Sequence, residues 1–544
     1  MTISAGHKSA LIIESMPLSQ SHLKYSLLAL GFNNIDVADR GYLATRSIST
    51  NFYDLIICSS DITNGPDGYQ LFEDLVVHQL LPNATCFVFL SSEQGLGQSQ
   101  SALELQPDDF VLKPFSAKEI ENRLTKALKR KLYLREALIE VDKKNYPAAF
   151  ERLNELVNNS PSQQQLQSIL KLKGDLLIKL ERWSMAKAYF EKLNSKKPTP
   201  WSQTAYAQSL VELGESDLAQ EALNSLMLSS ATSLKAHDLM AKLLFRQDKF
   251  EQAANHYQKA VEQSPRNLFR LKDYMDLSRL VKDLNSQHQA GSAFIRQLKN
   301  SIHETPEHYL AAIRAHIDYG FNLLSDEELS RLTQFSQSIL NNLRKIFPGV
   351  SLSEQIEIAQ ARILNLKKQP DKAKKLMANT IEKINNGNNF VANVEDAIDQ
   401  AKALHELGYF RESESVFYQI KQHCDKKNLP PLLSNYIAAE QQLRSEIKDS
   451  PQNLNNKAVG YFQRGNYTHA LDSFNLAFKL MPKNPAIALN LMQSAIESNL
   501  IFMDKKRLLV LVNKCRQTLN MVALNEEQQQ RYNRLNEMLL AKTA

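Results

Sequence analysis

The chain has 544 residues, too many for one hydrophobic core, so length alone predicts three or four domain-sized units or one long repeat array. Its 65 basic and 59 acidic residues leave a net charge of +6, close to balance for this length, which excludes composition as an argument for nucleic acid or an acidic membrane surface. Sixteen glycines, about half the usual share of roughly 7%, suit a mostly helical chain, because glycine costs about 1 kcal/mol per helical position. Cys58, Cys86, Cys424 and Cys515 have no C-x-x-C or metal-type spacing, and the first two lie in apolar runs, the pattern of reduced thiols. There is no charged-then-apolar leader and no apolar run near the roughly 20 residues of a membrane span. A cytoplasmic protein without membrane insertion is the expectation.

Residues 1–128 alternate between short apolar runs and segments of helical period. The runs are ALII (10–13), a weaker NIDV (34–37), DLIIC (54–58), CFVFL (86–90) and DFVL (109–112), which makes five strand-helix units. Unbroken apolar strands between amphipathic helices predict a parallel sheet covered on both faces by right-handed crossovers. In such sheets ligands bind beyond the carboxyl ends of the strands. The residues that matter are then Glu14 and Ser15, Ser59 to Asp61, Ser91 and Ser92, and Lys113 with Pro114.

The phrases GFNNIDVADRG, DGYQLF, VFLSSE and FVLKPFS fall on this frame, with KPF after the fifth strand the most specific. Through them residues 8–128 resemble the receiver domains of bacterial response regulators, a flavodoxin-like fold with a five-stranded parallel sheet. The resemblance implies that two acids after strand one and an aspartate after strand three bind Mg²⁺, while a Thr or Ser after strand four and the Lys of KP contact the phosphoryl group. On this chain those positions are Glu14 and Ser15, then Ser59, Ser91 and Lys113, with Phe110 as the switch aromatic. Serines therefore replace the second acid and the acceptor. A hard divalent cation wants carboxylate oxygens, and a serine without a base is a poor nucleophile. The expectation is a degenerate pseudo-receiver with weak or absent Mg²⁺ and no catalytic residue. Counting eight residues back from Gly68 in DG lands on Ser60, again a serine. Asp61 is the alternative acceptor, about 6.5 Å further along an extended chain; the plainer reading of Asp61, Asn64, Gly65 and Pro66 is a set of turn formers.

From residue 129 the sequence repeats. Trp183/Ala186/Phe190/Pro198, Phe250/Ala253/Tyr257/Pro265 and Tyr467/Ala470/Phe474/Pro482 share one frame, and twelve residues before each alanine stands Gly174, Ala241 or Ala458. Weaker copies lie at Ala149, Ala219, Ala290, Ala373 and Ser413; the steps 149, 186, 219, 253, 290 are 37, 33, 34 and 37 residues. The pattern resembles the tetratricopeptide (TPR) repeat of roughly 34 residues, in which small residues mark the tight helix-helix contact, aromatics fill the gap to the next unit and Pro ends the second helix. The boundaries read as a receiver-like domain 1–128, a first TPR sub-array 129–300, an irregular helical connection 301–350 and TPR-like repeats 351–544, with breaks at HETPEH, IFPGV, NNGNN and NLPPLLS.

Other chemistry is thin. His303/His308 and His405/His423 lack companions at metal spacing, and there is no Gly-rich phosphate loop, GxSxG or HExxH. The basic KALKRKLYLRE (126–136) reads as a connecting helix packed through Leu128, Leu132 and Tyr133, not as a nucleic-acid contact. WSQTAYAQSLVELGE and CSSDITNGPDGYQLF are similar to the VieB-type auxiliary response regulators. That resemblance implies a non-enzymatic regulator that binds a sensor histidine kinase, another response regulator, or both, through receiver-like and TPR surfaces. Two alternatives stay open: a receiver phosphorylated on a non-standard acceptor with TPR output, and a TPR chaperone or assembly factor. Oligomeric state is not read from the sequence.

Overall fold

In the computed structural model, the residues described are 8–92, 100–101, 104–321, 323, 326–386, 393–424, 429–446, 449, 451–482, 484–498, 505–522 and 524–543. The start of the chain, most of NNGNN and the side chains of His423 and Cys424 lie outside the described residues.

Five strands form one parallel sheet: β1 Ser9–Ile13, β2 Asn34–Ala38, β3 Leu55–Ser59, β4 Cys86–Ser91 and β5 Asp109–Leu112, in the order β2-β1-β3-β4-β5. Helices α1 Pro17–Ala29, α2 Gly41–Thr50 and α3 Gly68–Val77 and the long helix Ala117–Asp142 cover it. The unbroken apolar runs follow from this double cover, because alternate residues of one strand enter different cores. Leu11, Ile13, Ile56, Cys58, Phe87 and Phe89 pack with Ala44, Ile48, Leu71 and Leu75. Ala10, Ile12, Leu55, Ile57, Val88 and Leu90 pack with Leu23, Leu27, Ile120 and Leu124. Each fully buried Leu, Ile or Phe contributes about 1.5–3 kcal/mol, so a one-residue slip, which would exchange the two sets, is strongly disfavoured. Pairing of Ile13 with Cys58, Ser59 with Leu90 and Ser91 with Leu112 brings the strand ends level. Glu14, Ser59, Ser91 and Lys113 consequently share one rim.

Helix Ala117–Asp142 begins at Ser116, whose hydroxyl accepts from Glu119 N at 3.2 Å. Its first half covers the sheet and its second half packs Leu134, Ala137, Leu138 and Val141 on Ala149, Leu153 and Ile169. Leu132, expected in the packing stripe, is exposed instead. The buried residues step through 124, 127, 134, 138 and 141 at helical intervals, which leaves position 132 on the outer side.

Everything described after this helix is helical, about twenty further helices from Tyr146–Asn158 to Glu526–Thr543. The stretch 301–350 carries the helices Pro306–Gly320 and Asp326–Ile346. Ala149, Ala186, Ala219, Ala253, Ala290, Ala373 and Ala470 are buried, as are Ala241, Ala458 and Ser413. Gly174 shows why a small residue is needed: a Cβ there would lie 2.7 Å from two ring atoms of Phe190, which is itself fully buried. The three aromatics at the second aromatic place of the frame do not behave alike. Phe190 and Phe474 are buried, and Phe474 shares a core with Leu454, Ala458, Ala470 and Ala477. Tyr257 is only half-buried. Pro198, Pro265 and Pro482 each lie just beyond a helix, respectively Trp183–Lys196, Phe250–Gln263 and Tyr467–Leu480. By contacts the chain divides into two compact units, Met1–Leu271 with Arg296–Glu304, and Lys272–Ile295 with Thr305–Ala544. No helix among the described residues is long and apolar enough to cross a membrane.

Candidate functional site

At the carboxyl rim of the sheet, Lys113 follows β5 and its ammonium donates to Glu14 Oε2 at 2.7 Å and to Ser59 Oγ at 2.8 Å. Glu14 and Ser59 are both almost inaccessible, at 1% and 0% exposure, so the acid of the pair is taken out of water while Lys113 is half-buried. An unpaired charge there would cost several kcal/mol, and Glu14 supplies the counter-charge. Its second oxygen accepts from Met16 N at 3.0 Å, which uses the carboxylate on both sides. Ser15 is half-buried beside it.

The two serines at the end of β3 differ in what they face. Ser59 faces Lys113, whereas Ser60 Oγ is 3.0 Å from Ser91 Oγ and hydrogen-bonds Asp61. Asp61 is exposed, and its other oxygen accepts from Ser92 Oγ. Burial would raise its pKa, but the Ser60 and Ser92 hydrogen bonds and the Lys113 charge outweigh this and hold it below the usual carboxylate value. Phe110, on β5, is half-buried and packs against the cluster that contains Tyr69 and Phe89. The sequence-derived set therefore splits into two groups, Glu14–Lys113–Ser59 and Asp61–Ser60–Ser91–Ser92.

This donor set does not fit Mg²⁺. Around the acceptor position Glu14 is the one carboxylate, and the cation already on it is Lys113, whose ammonium bridges that acid and the Ser59 hydroxyl, while Asp61 is turned to Ser60 and Ser92. Among the described residues no group of three or more His, Cys, Asp or Glu is placed to hold a metal ion.

The loop after Ser59 is held from two directions. Gly68 sits so close to the strand end that an added Cβ would lie 2.3 Å from the Ser59 carbonyl oxygen. Asp67 caps α3 reciprocally with Gln70, at 2.9 and 3.1 Å. From the helical region of the same unit, Arg266 Nη1 donates to Asp67 at 2.6 Å and its guanidinium stands 4.4 Å from the Tyr69 ring centroid. Asn300 donates to Gly65 O at 3.2 Å, and Gln70 donates to the carbonyls of Gln297 and Lys299 at 3.1 and 2.9 Å. His303 lies 3.1 Å from Glu73, and Arg270 pairs with Glu104. None of these contacts was read from sequence, His303 having been noted only beside His308, because partners about 200 positions apart leave no local pattern.

Residues 10–125 match the family described as response regulator receiver domain. Among curated proteins, the transcriptional activator protein IrlR of Burkholderia pseudomallei is 32% identical over 120 residues, covering 22% of this chain and 50% of that protein. The probable transcriptional regulator ycf27 of Cyanidium caldarium is 28% identical over 120 residues, with 22% and 46% covered. The chain thus spans about half the length of the curated relatives it matches. A CheY-like receiver domain protein from Methanospirillum hungatei is 18% identical, with 23% of this chain and 97% of that chain covered and a TM-score of 0.21. A receiver domain from Methylobacillus flagellatus is 27% identical, with 22% and 99% covered and a TM-score of 0.20. The N-terminal domain matches the response regulator receiver domain, and an all-α region follows it.

Proposed function

We propose that the protein is a non-catalytic adaptor of two-component phosphorelay signalling, which docks on a sensor histidine kinase or a partner response regulator without accepting phosphate. The observation that carries this reading is the rim itself: a serine stands at the acceptor position, and the lysine that would meet a phosphoryl group is spent on Glu14 and Ser59 at 2.7 and 2.8 Å. A hydroxyl that accepts from an ammonium and has no adjacent base is not an activated nucleophile. The receiver frame nevertheless stays intact, with its sheet, its two cores and Phe110 in place, so a surface complementary to a receiver's partners is retained.

The helical region supplies the second attachment. We read it as TPR-like, a first sub-array over 129–300 and a second over 351–544 joined through 301–350, on the strength of the repeating frame and of Gly174 against Phe190. Two attachments on one chain raise avidity through effective concentration. Cytoplasmic location and kinship with VieB-type regulators belong to the same reading. The test is a phosphotransfer reaction from a cognate kinase to its response regulator, with this protein titrated in. The rate should fall with dose, and residues 1–142 alone should slow it less than the full chain. An unchanged rate at saturating protein would refute the adaptor reading.

One observation favours a second reading. Asp61 is an exposed, ionised carboxylate braced by two hydroxyls on the same rim, so a receiver that accepts phosphate there is the competing account.

A further inference from the structure

The second unit carries an open cleft of about 100 Å³ whose lining combines the polar Arg279, Lys402, Tyr436, Glu440 and Arg444 with the apolar Leu284, Phe321, Leu443, Leu480 and Met481. Its polar wall is built from buried charges. Lys402, 7% exposed, donates to both Asp318 oxygens at 2.6 and 2.5 Å, and Arg362, 1% exposed, joins Asp318, Asp399 and Glu406 at 2.6–2.7 Å. Such a network is not explained by stability alone, since apolar residues of similar volume are often as stabilising or more so.

The wall has donors left over. Tyr436, 3% exposed, accepts from Lys402 Nζ at 3.3 Å, and its own O–H has no acceptor among the described residues. Arg444 uses Nε on Glu440 at 3.0 Å, which leaves its two terminal nitrogens without a partner among the described residues. Arg279 Nη1 and Nη2 are taken by Glu395 at 2.8 and 2.9 Å, its guanidinium stacks 4.1 Å from the Tyr436 ring centroid, and its Nε is buried without a partner. The lining acids are already engaged: Asp318 by Lys402 and Arg362, Glu406 by Arg362, Glu440 by Arg444, Asp449 by Lys457. A surplus of donors over free acceptors selects an acceptor as ligand.

We propose that this cleft binds a carboxylate carried next to an apolar group, with Arg444 and Tyr436 as its donors. A planar two-oxygen anion matches the two-nitrogen edge of a guanidinium. The charges lining the cleft are balanced, Arg279, Lys282, Lys402 and Arg444 against Asp318, Glu406, Glu440 and Asp449, which favours a monoanion over a phosphate dianion. The apolar wall takes the rest of the molecule. The site lies wholly in the helical second unit and does not depend on how the receiver rim behaves.

The carboxylate has two sources, a free organic acid or an acidic side chain of a peptide, and the experiment separates them. Binding to the full-length protein is measured by calorimetry for 4-phenylbutyrate and its neutral amide, and for acetyl-Leu-Glu-Phe-amide and its Gln counterpart. At least one acid should bind about tenfold or more tightly than its neutral twin, the worth of a charge-assisted hydrogen bond. A free-acid preference identifies a small metabolite-like ligand, and a peptide preference an acidic segment of a protein. Arg444→Gln should abolish the discrimination, and Tyr436→Phe, which keeps the ring under Arg279, should reduce affinity several-fold at unchanged melting temperature. The proposal is overturned if neither acid binds, if acid and neutral twin bind alike, or if both variants bind as the parent does.

Discussion

Lys113 is the residue on which the receiver's chemistry turns, because a single ammonium closes the gap between Glu14 and Ser59. Restoring carboxylates at the two departed positions, Ser15→Asp with Ser59→Asp, would give Lys113 a choice of partners and a divalent cation three acids to bind. That double variant should gain Mg²⁺-dependent thermal stabilisation, and the parent should gain none. No gain would mean that the loop after Ser59 holds the backbone away from ligand geometry. Histidines set a separate residue-scale expectation. His256, with Nδ1 2.9 Å from Nδ1 of His237, is lowered to about 4 by burial, by His237 and by Lys259, and His288 is lowered to about 4 by burial and His316. Both are neutral when folded, while the unfolded chain takes up protons near pH 6.5. Their contribution is present above pH 6.5 and is lost as pH falls toward 4. The melting temperature should therefore drop across that window, and His256→Asn should make the drop shallower. These histidines read as unremarkable in sequence, since nothing in their spacing shows that they meet across helices.

The helix pair Ser233–Arg246 and Phe250–Gln263 tests the repeat frame. Ala253 is fully buried there and Gln252 is exposed. Ala253→Leu should cost about 1–3 kcal/mol through overpacking, and Gln252→Leu should be nearly silent in chemical denaturation. Gly68→Ala should be worse than either, because the added carbon meets the Ser59 carbonyl oxygen at 2.3 Å, and backbone cannot yield as a side chain can. Four strands were legible because each carries an apolar run without interruption, and a doubly covered sheet leaves few other places for such runs; β2, broken by Asp36, was the weaker signal. The rim residues followed, since strand ends fix them. Leu132 was not legible: Leu128, Leu132 and Tyr133 satisfy helical spacing equally well, and only the direction in which the packing partner lies decides which is buried.

On the scale of the molecule, the loop after Ser59 is tied to the helical region of its own unit by Arg266 on Asp67 and Asn300 on Gly65. A charge-assisted bond such as that of Arg266 to Asp67 contributes about 1.5–3 kcal/mol. Arg266→Ala with Asn300→Ala should raise amide hydrogen exchange in residues 64–70 about tenfold or more and leave β1 and β3 protected. Unchanged exchange would show that the loop is ordered by its own Asp67–Gln70 cap. The proposal that this domain keeps the receiver frame without the reaction is tested most directly by incubating the full chain with Mg²⁺ and a radiolabelled low-molecular-weight phosphodonor beside a working receiver. The expected result is no label on the protein, with Ser59→Ala and Asp61→Asn equally blank. Label at a rate comparable to the working receiver, lost on Asp61→Asn, would contradict it and make the chain a phosphate acceptor through Asp61.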